Sequence, residues 1–172
     1  TSQFLEDGLV LYQIDAQGPR TDWKVKSGGK AKEIPFVVLV NEFSASASEV
    51  FTGAMMDHER ATVLGGTTFG KGSVSNLWAL QDGSGVNFTI AHWFTPNGTL
   101  IEGEGLSPDV QLDKVEDGSE DVHLNRAIEF LRKQIAQDDG IPVYAIMTNE
   151  QIAQAIKRGV CDKAGLLSIP GV

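Results

Sequence analysis

The chain has 172 residues, 41% of them hydrophobic and 22% charged, which is material for one soluble globular domain with an appendage. A net charge of −9 and the lack of any basic stripe argue against nucleic acid or an anionic membrane surface as a partner. The single cysteine, Cys161, excludes an internal disulfide and any multi-cysteine metal site, and no apolar run approaches the roughly 18 residues that would span a bilayer.

The opening stretch TSQFLEDG reads as the tail of a helix with Gly8 as its stop, an abrupt start that suggests a piece of a longer protein. LVLYQIDAQGPRTDWKVK predicts two strands around a turn at Gln17-Gly18-Pro19. IPFVVLVNE, residues 34 to 42, is a short continuous apolar run of the kind buried on both faces of an α/β sheet. SASASEVFTGAMMDHER follows, with Ala47, Val50, Phe51, Ala54 and Met55 at helical spacing. ATVLGG is a second buried strand and TTFGKGS a glycine-rich loop. VSNLWAL and VNFTIAHWF flank QDGSG and predict a hairpin whose Val86, Phe88, Ile90, His92 and Phe94 share one face. After the TPNG turn, SPDVQLD is extended and HLNRAIEFLRKQIA is an amphipathic helix. Thr148 to Arg158 is a last helix, with a T-x-x-Q capping box at its start and Gly159 after its end. Strand, helix and strand of buried parallel character, followed by hairpins, give a mixed α/β or α+β fold.

The serine run admits a structural reading and a chemical one. Ser46-Ala47-Ser48-Glu49 fits the S-x-x-E capping box, with Ser46 as N-cap and Glu49 reaching back. The same position, between a strand end and a helix start, is where unsatisfied backbone N–H groups can hold an oxyanion, and the Ala47 N–H is the natural donor. Ser44 falls in the turn and Ser48 inside the first helical turn, so position favours Ser46 as a nucleophile. A serine needs a base. His58 stands about twelve residues along the helix from Ser46, roughly 18 Å away, and reads as a solvated surface residue. His92 reads as a satisfied core histidine, and His123 precedes the amphipathic helix, where capping or exposure accounts for it. Lys71, between Gly70 and Gly72, can approach another element closely. Burial in an apolar pocket would lower its affinity for a proton and make it a competent base near neutral pH. Gly65 to Lys71 also matches the first part of a phosphate-binding loop, but Gly72 stands where Ser or Thr is required and a strand follows where a helix is needed.

VVLVNEFSASASE, TTFGKGSV and FTPNGTLIEGEGLSPDV, in that order, resemble the C-terminal processing peptidases, or tail-specific proteases. The likeness covers roughly residues 1 to 135. It implies a crotonase/ClpP-like protease core lacking its N-terminal portion, with residues 1–137 as the C-terminal part of that core and 138–172 as a helical appendage. It implies Ser46 as nucleophile, Lys71 as general base 25 positions later, and the Ala47 N–H as an oxyanion donor. No metal and no cofactor are implied. Protein or peptide substrates, a second oxyanion donor from an upstream glycine-rich loop, an upstream PDZ-containing segment and an extracytoplasmic location go with the resemblance, which is compatible with a homo-oligomer. Two departures stand out. Phe43 occupies a position that is usually glycine, and Ser75 stands where many members carry a glutamine that orients the lysine. The alternative on the same fold is a non-catalytic ligand- or peptide-binding module, such as the retinoid-binding repeats that resemble these proteases. A third reading leaves the serine box as a helix cap alone.

Overall fold

The computed structural model describes residues 1–113 and 121–143 and, beyond them, residues 146, 148, 150, 151, 154, 157, 158 and 168. The chain forms two compact units, Thr1–Ala127 and Ile128–Val172.

The first unit carries two sheets. Strands β1 (Leu9–Asp15), β2 (Arg20–Lys24), β5 (Ser73–Ala79) and β6 (Gly85–Phe94) form one sheet in the order β2-β1-β6-β5, with every pairing antiparallel. Strands β3 (Val37–Val40), β4 (Thr62–Gly65) and β7 (Val110–Gln111) form the other in the order β3-β4-β7, all parallel. The parallel pairing runs in register from Val37 opposite Thr62 to Val40 opposite Gly65. It requires a crossover, and helix α1 (Ala47–Asp57) supplies it. A mixed α/β architecture results, as the alternation of apolar runs and helical spacing predicts.

The inward face of the helix includes the one its apolar residues mark, with Phe51 packed on the Ala54–Met55 core, and is wider than they show. Ala54 and Met55 are fully buried, but so are Glu49, Thr52 and Gly53, whereas Ala47 is exposed. Gly53 lies close to Thr95, with no room for a Cβ, so a small residue is what lets this side of α1 pack. On the other side, Leu5, Ala54 and Met55 form a core joined by Phe4, Phe36 and Phe51. Phe4 packs on Phe36 at 4.8 Å and edge-on against Phe51 at 5.5 Å. Arg60 closes this cluster. It stacks over Phe36 and donates to the carbonyls of Phe4, Ala31 and Ile34, which fastens the preceding loops.

Several expectations change. Residues 2–4 form a turn, with Phe4 N–H on the Thr1 carbonyl, although Gly8 does adopt a positive φ of 94°. Strand β3 is not buried on both faces: it is an edge strand, and Leu39 is exposed. The hairpin forms, but Val74 pairs with Ala91 and Ser75 with Thr89, so Ile90 is an extra residue that interrupts the alternation. Val86, Phe88 and Ile90 are exposed rather than core. His92 Nδ1 is buried with no hydrogen-bond partner among the described residues, so it is not the satisfied core histidine expected. His58 is half-buried at the end of α1, its Nε2 2.7 Å from the Leu9 carbonyl oxygen, and not a solvated residue.

Helix α2 (Val122–Asp138) starts at Asp121, whose carboxylate accepts from the Leu124 N–H at 3.0 Å. His123 lies inside its first turn, with Nε2 2.8 Å from the Asp113 carbonyl oxygen. In the second unit the Thr148/Gln151 capping box is present: Thr148 N–H donates to Gln151 Oε1 at 2.7 Å and Gln151 N–H to Thr148 Oγ1 at 3.2 Å. Gly159 and Cys161 lie outside the described residues. Among the described residues no helix is long and apolar enough to cross a membrane.

Gly65 gives the parallel sheet a sharp test. Its φ is +131°, and a Cβ there would fall 1.9 Å from the Val40 carbonyl oxygen. Gly65→Ala is expected to lower unfolding free energy by about 2 kcal/mol or more, read as a drop in the urea midpoint at unchanged m-value.

Candidate active site

The turn from β3 into α1 is built from short-range bonds. Phe43 N–H donates to Asn41 Oδ1 at 3.0 Å, and Ser44 N–H to the Asn41 carbonyl at 2.9 Å. The Ser44 hydroxyl accepts from Asn41 N–H at 3.1 Å, and the Ser48 hydroxyl donates to the Ala45 carbonyl at 2.8 Å. Both flanking serines are thus tied into the local backbone. Ser46 differs from them in its backbone, with φ 60° and ψ −117°. A residue with a Cβ pays about 1–3 kcal/mol for such a conformation, which persists where the surroundings enforce it and which clusters at active sites. Ser46 is half-buried and its carbonyl accepts from Glu49 and Val50 N–H at 2.9 and 3.0 Å, the first bonds of α1. Ala47 opens the helix, and its N–H has no acceptor among the described residues.

Glu49 is what enforces the turn. The side chain is fully buried, and its carboxylate accepts four hydrogen bonds. Oε1 takes the Thr68 hydroxyl and the Gly70 N–H, both at 2.6 Å. Oε2 takes the Ser46 N–H and the Lys71 N–H, both at 2.8 Å. One oxygen therefore anchors the backbones of Ser46 and Lys71 together, across 25 positions of sequence. A second contact repeats the link, with Phe69 N–H on the Ser44 carbonyl at 2.9 Å.

The loop bearing Lys71 is braced from its other side by residues 101–106. Leu106 N–H donates to Thr68 Oγ1 at 2.8 Å, Gly103 N–H to the Gly70 carbonyl at 2.9 Å, and Gly72 N–H to Glu102 Oε2 at 2.7 Å. Glycine is required for this approach. A Cβ on Gly72 would meet Glu102 N at 2.6 Å, and one on Gly70, whose φ is +87°, would meet Gly105 N at 2.9 Å.

The structure thus brings Ser46, Ala47 and Lys71 to one corner. It does not bury Lys71, whose side chain is exposed, contrary to the apolar pocket expected. Nor does it bring Ser75 to the lysine. Ser75 is exposed on β5, opposite Thr89, and makes no hydrogen bond to Lys71 among the described residues. None of the three histidines hydrogen-bonds Ser46, and no cluster of His, Cys, Asp and Glu able to hold a metal occurs among the described residues. Phe43 is 81% exposed beside the turn. Sequence reasoning saw Glu49 as a cap and missed it as the clamp on Lys71. The available signal was a carboxylate inside the first turn of a helix followed by two further small positions, Thr52 and Gly53, that are buried with it. Glu102 and Thr68 carried no such signal.

The family model for peptidase family S41 matches residues 1–112. The chain belongs to peptidase family S41. Among its relatives is a "Probable CtpA-like serine protease" of Staphylococcus aureus, 50% identical over 113 residues, which are 64% of this chain and 23% of that protein. The protein of the same description in Staphylococcus epidermidis is 41% identical over 111 residues, 63% of this chain and 23% of that protein. A solved structure titled photosystem II D1 C-terminal processing protease is 42% identical, with a TM-score of 0.61, covering 65% of this chain and 29% of that one. A lipoprotein from Streptococcus agalactiae shares the fold at 17% identity, with a TM-score of 0.60 over 77% of this chain and 47% of that one. The chain spans under a quarter of the length of the curated relatives it matches.

The Glu49 clamp of this S41 chain makes a direct prediction. Glu49→Gln keeps the volume but replaces one acceptor oxygen with a donor that faces two donors, so the substitution should cost at least about 3 kcal/mol. Ser48→Ala removes one exposed bond and should cost under about 1 kcal/mol. Paired chemical denaturation of the two variants reads the contrast.

Proposed function

We propose that this chain carries the nucleophile and the general base of a serine endopeptidase that cleaves C-terminal regions of protein substrates. The observation that supports this most is the pairing of a strained Ser46 with Lys71 on a single oxygen of buried Glu49. The Ser46 bond is the return bond of the helix cap, whereas the Lys71 bond on the same oxygen lies beyond what a cap requires.

In this reading the neutral amine of Lys71 takes the proton from Ser46 Oγ as Oγ attacks the scissile carbonyl. The tetrahedral oxyanion is held by the Ala47 N–H, which points out of the first turn of α1 and has no other acceptor among the described residues. A second donor comes from elsewhere in the whole protein. Collapse of the tetrahedral species breaks the C–N bond, and Lys71 hands its proton to the leaving amine. The acyl-enzyme on Ser46 is then attacked by water, whose proton passes to Lys71. The second collapse releases the new carboxylate and returns a proton to Oγ. Lys71 is exposed in this chain, so the desolvation that favours its neutral form falls to bound substrate and to the rest of the protein. A PDZ-containing segment that delivers substrate tails and an extracytoplasmic location belong to the same proposal.

The decisive measurement uses the full-length protein. A fluorophosphonate probe should label Ser46, and labelling should vanish in Ser46→Ala and fall by a factor of about 10²–10⁴ in Lys71→Ala. Peptide cleavage should be lost in parallel. A native protein that binds an apolar ligand tightly but resists the probe would instead be a binding module, and undiminished cleavage in Lys71→Ala would remove the dyad.

A further inference from the structure

We propose that Glu102 is a positioning residue for Lys71. The inference rests on Lys71 being the general base, and it identifies what aims that base in place of Ser75. Three consecutive backbone N–H groups around the lysine end on carboxylates. Gly70 and Lys71 donate to Glu49, and Gly72 donates to Glu102 Oε2 at 2.7 Å. The lysine is therefore gripped on both sides, by different residues with different reach.

The two carboxylates do different work. Glu49 is fully buried and joins the lysine loop to the Ser46 turn, so its loss undoes both. Glu102 is half-buried, and its bond reaches the lysine loop alone. It fixes the peptide unit that follows Lys71, and with it the direction in which the side chain leaves the backbone. The neighbouring geometry serves this contact. Ile101 is fully buried, Gly103 and Gly105 have φ of 80° and 67°, and Gly72 has no room for a Cβ against Ile101 and Glu102. The 101–105 loop is thus folded tightly against the lysine loop, with Glu102 at the point of contact. Ser75, exposed on a strand edge, has no comparable bond among the described residues. A long, flexible lysine side chain gains from a fixed root, because a misplacement of roughly 1 Å at a reacting group costs on the order of a hundredfold in rate.

The test is steady-state kinetics and thermal melting on the full-length protein. Glu102→Ala should lower kcat by about tenfold to a hundredfold with KM within about threefold of native and Tm little changed. Glu102→Gln keeps an acceptor for the Gly72 N–H and should recover most of the loss. If Glu102→Ala does not fold, Glu102→Asp, which withdraws the carboxylate by one methylene, serves for the same comparison and should show the same fall in kcat. A native kcat in the Ala or Asp variant overturns the proposal. So does a change confined to KM, a loss of activity that merely follows a loss of Tm, or a Gln variant as impaired as Ala. Lys71→Ala run alongside separates the two layers. If it retains activity, the dyad itself is wrong. If it is inactive while Glu102→Ala is native, the dyad stands and the role of Glu102 fails.

Discussion

A buried carboxylate with four donors is the constraint on which this corner of the molecule depends. Taking a carboxylate out of water is costly, and only complete hydrogen bonding makes the burial tolerable. Glu49 meets that condition by collecting its donors from two places, the Ser46 turn and the 68–71 loop. A carboxylate suits the task because it accepts at both oxygens and donates at neither. An amide would leave donors facing donors, and an apolar side chain would strand four polar groups in the interior. The side chain is therefore not simply the return arm of a helix cap. It turns a local capping motif into a long-range tie.

The tie also accounts for the conformation of Ser46. A left-handed backbone at a residue with a Cβ relaxes unless something holds it. Here the Ser46 N–H is fixed by Glu49, its carbonyl by the first turn of α1, and the residues on either side by the Asn41 turn and the Ser48 hydroxyl. The second sheet contributes from below. Val40 and Gly65 end their strands in register, so the serine turn and the glycine-rich loop leave the sheet side by side. Parallel pairing thus brings near in space what sequence separates; Gly65 lets the two strand ends approach at Val40, and Gly70 and Gly72 let the 101–105 loop pack against the lysine loop.

Much of this was legible in the sequence because the signals were local. The apolar runs at 37–40 and 62–65 and the helical stripe between them marked the βαβ unit, and the S-x-x-E box marked where the helix starts. Ser46 and Lys71 stood out by position and by the glycines around the lysine. What escaped was non-local. The four-fold coordination of Glu49 depends on a loop 20 residues away, and nothing in S-x-x-E states that its glutamate faces inward. The hairpin misled for a different reason. Strict alternation from Val86 to Phe94 predicts one buried face, but residues 85–90 of β6 and 75–79 of β5 are exposed on both faces, and alternation alone does not say whether anything covers the face it marks. His58 looked solvated because it follows a polar tail, whereas Gly8 opens room for its ring beside Leu9.

Lys71 separates two requirements that are often treated as one. A lysine base has to be aimed, and it has to give up its charge. Aiming starts from the backbone, and in the proposed dyad the carboxylates that hold the N–H groups of residues 70, 71 and 72 would fix the root of the lysine. Giving up charge is a matter of surroundings, and the side chain is exposed. The division follows from the physics of each task. Hydrogen bonds to backbone N–H groups are short-ranged and can be completed inside a small unit, whereas a dry pocket needs walls on several sides. On the proposed dyad, a unit that fixes geometry but leaves its lysine in water would depend for its chemistry on what closes over it. In the proposed mechanism bound substrate supplies part of that closure, so proton transfer from Ser46 to Lys71 would be coupled to its arrival.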